Sequence, residues 1–186
     1  MKQVTSLAIV IMSVTVMAAC GDAGNKSNEH NHATASKDSS SVTNSTLASE
    51  QVKLNDDNLN AVYQHYIHLT TALVNEDSAE AKIASNAIHA GSSNINGAEK
   101  LASSAARITA AKTIENQRNE YAHLSNEMIA LVKKSGVISG ELFVDFCPMA
   151  LDDKGAHWLS SRKEIRNPYF GDKMLTCGEV QETIRK

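Results

Sequence analysis

The chain predicts a mainly α fold, an up-and-down four-helix bundle followed by a C-terminal loop-rich segment with short β-strands. Three observations carry this. Apolar residues recur at three- and four-residue spacing in four stretches between residues 59 and 132, the signature of helices that each bury one face. The connections between these stretches are short, which favours antiparallel neighbours. After Gly140 the helical period stops and turn-forming residues accumulate.

The elements follow in order. Leu59, Val62, Tyr63, Tyr66, Ile67, Thr70, Leu73 and Val74 make the first stripe, and Asn75-Glu76-Asp77 interrupts it. Asp77, three residues before Glu80, is a capping signal for a second helix carrying Ile83, Ala84, Ala87 and Ile88. That helix weakens at Gly91-Ser92-Ser93. An alanine-rich segment from Ala98 to Lys112 keeps Leu101, Ala105 and Ile108 in phase. The last helix carries Ile114, Tyr121, Leu124, Met128, Leu131 and Val132; Lys133-Lys134 suit its negative end and Gly136 stops it. The bundle thus spans about residues 55–135.

Residues 140–184 are a cysteine- and methionine-bearing region. Leu142 to Phe146 is β-prone and leads into Cys147; Gly178 to Ile184 is a second β-prone run. Between them Gly155, Asn167-Pro168 and Gly171-Asp172 mark turns, and Ser161 with Glu164 fits one helical turn that Pro168 stops. A long irregular stretch inside a domain is uncommon unless it is stapled or serves a function. Both prolines, the only tryptophan and two of the three cysteines lie here.

Cys147-Pro148-Met149 and Met174-Leu175-Thr176-Cys177 place a thiol and a thioether at each end. Cu(I) and Ag(I) are soft and take such ligands. Cys147 and Met149 are two apart, on one face of an extended strand, and Met174 and Cys177 are three apart, within reach across one turn. His157 and Trp158 lie between and are candidates to complete or cover the site. The same two cysteines, in an exported protein, equally form a disulfide. Both alternatives stand at this point. Trp158, Tyr169 and Phe170 read as an apolar cluster holding the loop.

The N-terminus bears on the compartment. Lys2 precedes an apolar run to Ala19, too short and too rich in Ser and Thr for a membrane span. Met17-Ala18-Ala19-Cys20 resembles a bacterial lipobox, which implies a lipoprotein signal peptide over residues 1–19 and lipid attachment at Cys20. Gly21 follows, without the aspartate linked to inner-membrane retention, so outer-membrane attachment facing the periplasm is expected. The next residues, to 50, are polar and nearly free of large apolar side chains; they read as a flexible tether. The single folded domain is then residues 51–186.

Several functions are disfavoured. Loss of Lys2 leaves 17 basic against 21 acidic residues, net −4, with no basic stripe, so nucleic-acid binding has no support. No phosphate loop, Gly-x-Ser-x-Gly elbow or His-Glu-x-x-His motif occurs, and a non-enzymatic role is expected. His30 and His32, and His65 and His68, have metal-compatible spacings but read as solvated polar positions. His89 and His123 read as boundary residues on the second and last helices, His123 becoming a candidate extra ligand if the bundle brings it near the C-terminal loop. Glu141, Asp145, Asp152 and Asp153 read as surface charge.

The string CPMA–x4–GA–x–WLS–x4–EI–x–NPYFG–xx–ML–x–CG, with Gln117-Arg118, Leu124-Ser125 and Ala72-Leu73-Val74 upstream, resembles domain-of-unknown-function family 3347 over about residues 55–186. Cys-Pro-Met also resembles the start of small heavy-metal-binding domains, although Ala150-Leu151 stands where those have His-Pro. The family resemblance implies a small bacterial envelope lipoprotein. It also implies similarity to the C-terminal part of periplasmic adaptor subunits in copper and silver efflux. The expected cargo is Cu(I) or Ag(I), held by Cys147, Met149, Met174, Cys177 and His157. The expected partners are the membrane, through Cys20, and metal-efflux components. A disulfide-stapled interaction module without metal is the alternative.

Overall fold

Four helices packed in series form the larger part of the computed structural model, which describes residues 51–186. The expected signal peptide and tether, with Cys20, His30 and His32, lie outside the described residues. Helix α1 (Asp57–Val74) starts at Asp56, whose carboxylate accepts from the Leu59 N–H at 2.9 Å. Helix α2 (Ser78–Ser92) starts at Asp77, which accepts from the Ala79 and Glu80 amides. These side chains satisfy donors that a helix start leaves open. Helix α3 (Glu99–Ala110) has no side-chain cap. Helix α4 (Ile114–Ser135) is capped by Thr113 and ends at Gly136, whose φ of 87° turns the chain out of the helix. No helix among the described residues is long and apolar enough to cross a membrane.

The apolar stripes are the core. Leu59, Val62, Tyr66, Leu69 and Leu73 of α1 meet Ala84 and Ile88 of α2, Leu101 and Ile108 of α3, and Leu124, Met128 and Val132 of α4 in one buried cluster. Ile83 departs from expectation. It is 60% exposed, because the α2 face that packs inward runs through Ala81, Ala84, Ser85 and Ile88.

Two small sheets complete the domain. Strand β1 (Lys53–Leu54) pairs antiparallel with β2 (Val137–Ser139), tying the start of the domain to the end of α4. Strands β3 (Leu142–Cys147), β4 (Ala156–Ser160) and β5 (Glu179–Ile184) form an antiparallel sheet in the order β4-β3-β5. The β3 and β5 strands match the two β-prone runs. Strand β4 occupies residues expected to be irregular, and no helical turn forms at Ser161. Instead the Ser160 hydroxyl bonds both the N–H and the carbonyl of Arg162, closing a local turn that competes with a helix start.

Aromatic side chains join the sheet to the bundle. All four tyrosines and the tryptophan form a chain of rings: Tyr63–Tyr66 at 6.3 Å, Tyr66–Tyr121 at 5.7 Å, Tyr121–Tyr169 at 5.5 Å and Tyr169–Trp158 at 6.0 Å. Two of their hydroxyls cap the free edge of β4. The Leu159 N–H donates to Tyr66 Oη at 2.9 Å, and Tyr169 Oη donates to the His157 carbonyl at 2.7 Å. An edge strand with its polar groups satisfied in this way presents no template there for another strand.

Candidate thiol site

Sheet register brings the two cysteines together. Cys147 ends β3 and pairs with Ala156 of β4, while Phe146 pairs with Glu179 at the start of β5. The residues just before Glu179 therefore lie beside the end of β3, and Cys177 is among them. The two Sγ atoms are 2.6 Å apart, both as free thiols. Cys147 is fully buried and Cys177 half-buried.

Three local features hold this arrangement. Asn167 is fully buried, and both of its side-chain polar atoms are hydrogen-bonded. Its Nδ2 donates to the Cys177 carbonyl at 2.8 Å, its Oδ1 accepts from the Tyr169 N–H at 2.8 Å, and its own N–H donates to the Leu175 carbonyl. Gly178, with φ 139°, allows close approach: a Cβ there would sit 2.9 Å from both the Phe146 carbonyl oxygen and Trp158 Cη2. After Met149, residues Leu151, Asp152 and Asp153 all adopt left-handed conformations, with φ between 56° and 61°, each costing roughly 1–2 kcal/mol. This turn lets the chain reverse into β4, closed by the Gly155 N–H on the Ala150 carbonyl at 3.0 Å.

The five sulfur and imidazole candidates are not all gathered. Cys147 and Cys177 meet. Met174 sits in a one-turn 3-10 helix (Gly171–Met174), and its carbonyl accepts the Cys177 N–H at 3.0 Å, the predicted turn between these two residues. Met149 lies past the end of β3, so the shared strand face expected for Cys147 and Met149 does not form; Met149 is 46% exposed, and its backbone N–H faces the Cys177 sulfur. His157 pairs with Phe146, one residue out of step with Cys147, so its side chain lies on the opposite sheet face. There it stacks on Phe146 at 4.6 Å, and its Nε2 bonds Gln181. His157 is thus separated from the thiols by the pleat itself. Trp158 is on the thiol face and packs over Gly178. Among the described residues no group of three His, Cys, Asp or Glu side chains is placed to hold a metal.

The electrostatics disfavour a free thiolate at Cys177. Its hydrogen bond to Cys147 and partial burial push the Cys177 thiol up to about 11, while the Met149 N–H pulls the other way. A thiol held protonated is a weak nucleophile.

The remaining histidines are where solvated positions belong. His65 and His89 are exposed, as is His68, which pairs with Glu80 at 2.9 Å. His123 lines a cleft between α3 and α4 with Arg107 and Glu120, away from the thiols.

Three residues matter more than their sequence context suggests. Asp145 is not surface charge: it is 0% exposed, neither carboxylate oxygen has a hydrogen-bond partner, and burial raises its pKa to about 7. Only its place in a β-prone run flagged it. Arg118 is buried on α4, donating to the Pro168 carbonyl at 2.9 Å, the Leu73 carbonyl at 3.1 Å and Glu76 at 3.2 Å. It fastens the cysteine loop to the end of α1. Tyr66 is the hydroxyl hub, bonded to Ser125, Tyr121 and Leu159. No sequence signal marks the partners of either.

A family model described as Protein of unknown function (DUF3347) matches residues 62–140. The match runs from within α1 through α4 and β2 and stops before the thiol region, so the C-terminal motif of the resemblance lies outside it. No curated protein and no solved structure matches the chain.

Proposed function

We propose, from the match of residues 62–140 to the DUF3347 family model together with the thiol pair, a function for the whole chain: a non-enzymatic, lipid-anchored envelope domain that binds a soft metal ion, Cu(I) or Ag(I), and serves metal efflux or resistance. The observation that carries this is that the sheet register sets the Cys147 and Cys177 thiols side by side, with Met174 and Met149 as their chain neighbours; taking an ion requires the two sulfurs to move apart from 2.6 Å, since each metal–sulfur bond is about 2.3 Å long. Structural zinc requires four ligands, and the described residues supply no third His, Cys, Asp or Glu. Two thiolates with thioethers nearby instead suit a soft ion of low coordination number. The lipobox-like Cys20 supports anchoring at the outer membrane facing the periplasm.

Binding would displace the thiol protons, so affinity should rise with pH below about 11, where Cys177 holds its proton. The test is titration of the reduced protein with Cu(I) against a competing chelator. One equivalent bound, and lost in Cys147→Ser/Cys177→Ser, supports the proposal. No binding, or binding unchanged in the double variant, ends it.

A second reading is favoured by the same short separation. A disulfide bond is about 2.05 Å, so two thiols at 2.6 Å are near bonding geometry in a compartment that oxidises them. Oxidation would remove two protons and two electrons to a disulfide oxidant and staple the loop, leaving an interaction module without metal. Thiol counting on protein taken from the envelope decides it, since two free thiols per chain would rule the staple out.

A further inference from the structure

A cleft of about 340 Å³ lies between the C-terminal half of α1 and the end of β4 with the residues that follow it, within the size range of small-ligand sites, ~300–1,000 Å³. Its apolar lining is the half-buried Ile67 over the buried Val74, Trp158 and Leu159. Its polar lining includes Ser160 and Ser161, and Arg162, Glu164 and Arg166 are exposed around it. Among the described residues neither Arg162 nor Arg166 makes an ion pair or a side-chain hydrogen bond. With Lys163 the segment 162–166 carries three cations against one carboxylate, in a chain of net charge −3.

The rim is anchored at both ends. Ser160 closes the turn at Arg162, and Arg166 precedes Asn167, which is fixed to the Cys177 carbonyl. The buried Tyr63 hydroxyl lies near Ser161. An apolar wall beside two unpaired guanidinium groups is chemically matched to a molecule with an apolar body and an anionic head. Guanidinium groups take carboxylate and phosphate through paired N–H donors.

We propose that this cleft binds a small amphipathic anion, its apolar body against Trp158 and Ile67 and its carboxylate or phosphate between Arg162 and Arg166. The cleft operates whether or not the thiol pair takes metal.

Trp158 is the only tryptophan, so its emission reports on the site directly. The experiment titrates the protein with octanoate, octyl phosphate, octylammonium and 1-octanol, following Trp158 fluorescence and, in parallel, calorimetric heat. Saturable binding of the two anions is expected, with Arg166→Gln weakening it at least about ten-fold and Arg162→Gln/Arg166→Gln abolishing it. Circular dichroism of the variants should be unchanged, since both side chains are exposed. Equal response to octylammonium or octanol, anion binding that survives the double variant, or no saturable binding by either readout would overturn the proposal.

Discussion

Replacing Asp145 by asparagine should make the protein more stable, and by an amount that grows with pH. The carboxyl is fully buried and unpaired, and burial raises its pKa from 3.8 to about 7. The folded state therefore keeps a proton that the unfolded chain has released. Between these two values each unit of rising pH disfavours the folded state by about 1.4 kcal/mol, and above pH 7 the loss is complete at about 4 kcal/mol. From pH 5 to pH 8 the accumulated loss is about 2–3 kcal/mol. Asparagine has nearly the same shape and no proton to lose. Urea unfolding of wild type and Asp145→Asn at pH 5, 6, 7 and 8 measures the difference directly, with histidine titration common to both. The gap between the two should widen by about 2–3 kcal/mol across this window, a midpoint shift of roughly 1 M at a slope near 2 kcal/mol/M. A gap that stays constant with pH, or narrows, would refute the argument, because it would mean that Asp145 is ionised at no cost in the folded protein.

Four other outcomes are expected. If the cysteines are oxidised, closing their loop contributes about 3–4 kcal/mol, so reductant should lower the thermal midpoint of wild type and leave Cys147→Ser/Cys177→Ser unchanged. Arg118→Met should cost about 2–4 kcal/mol, by orphaning the Pro168 and Leu73 carbonyls; limited proteolysis should then cut near Pro168 before the bundle. Tyr66→Phe keeps the ring but leaves the buried Leu159 N–H unpaired, a loss of about 1–3 kcal/mol by denaturant unfolding. Gly178→Ala forces a Cβ against the Phe146 carbonyl and Trp158; it should destabilise the fold by about 1–3 kcal/mol and slow Cys147–Cys177 oxidation, followed by thiol alkylation.

Much of the bundle was legible because its signals are local. Asp77 capping α2, Gly136 ending α4 and the stripes of α1 and α4 each depend on residues within one or two turns. The misses are where distant partners decide. Ile83 is in phase with its own helix, but which arc of α2 faces inward is set by α1 and α3. Ala156–Ser160 carries no clean alternation, since both of its faces and one edge meet protein, the edge through hydroxyls of Tyr66 and Tyr169. Asp145 looked like any acidic residue in a turn-rich segment until β3 became the central strand of its sheet.

The sequence by itself determined that a helical bundle precedes a cysteine-bearing loop with short strands, since periodicity and turn chemistry are written in neighbouring residues. It also singled out Cys147 and Cys177 as the pair to examine. Only the tertiary structure decided which of their companions can join them. Strand pairing is a long-range choice, and its two-residue period assigns each side chain to one face or the other. The register that sets Cys147 beside Cys177 is the same one that turns His157 away and leaves Asp145 without a partner.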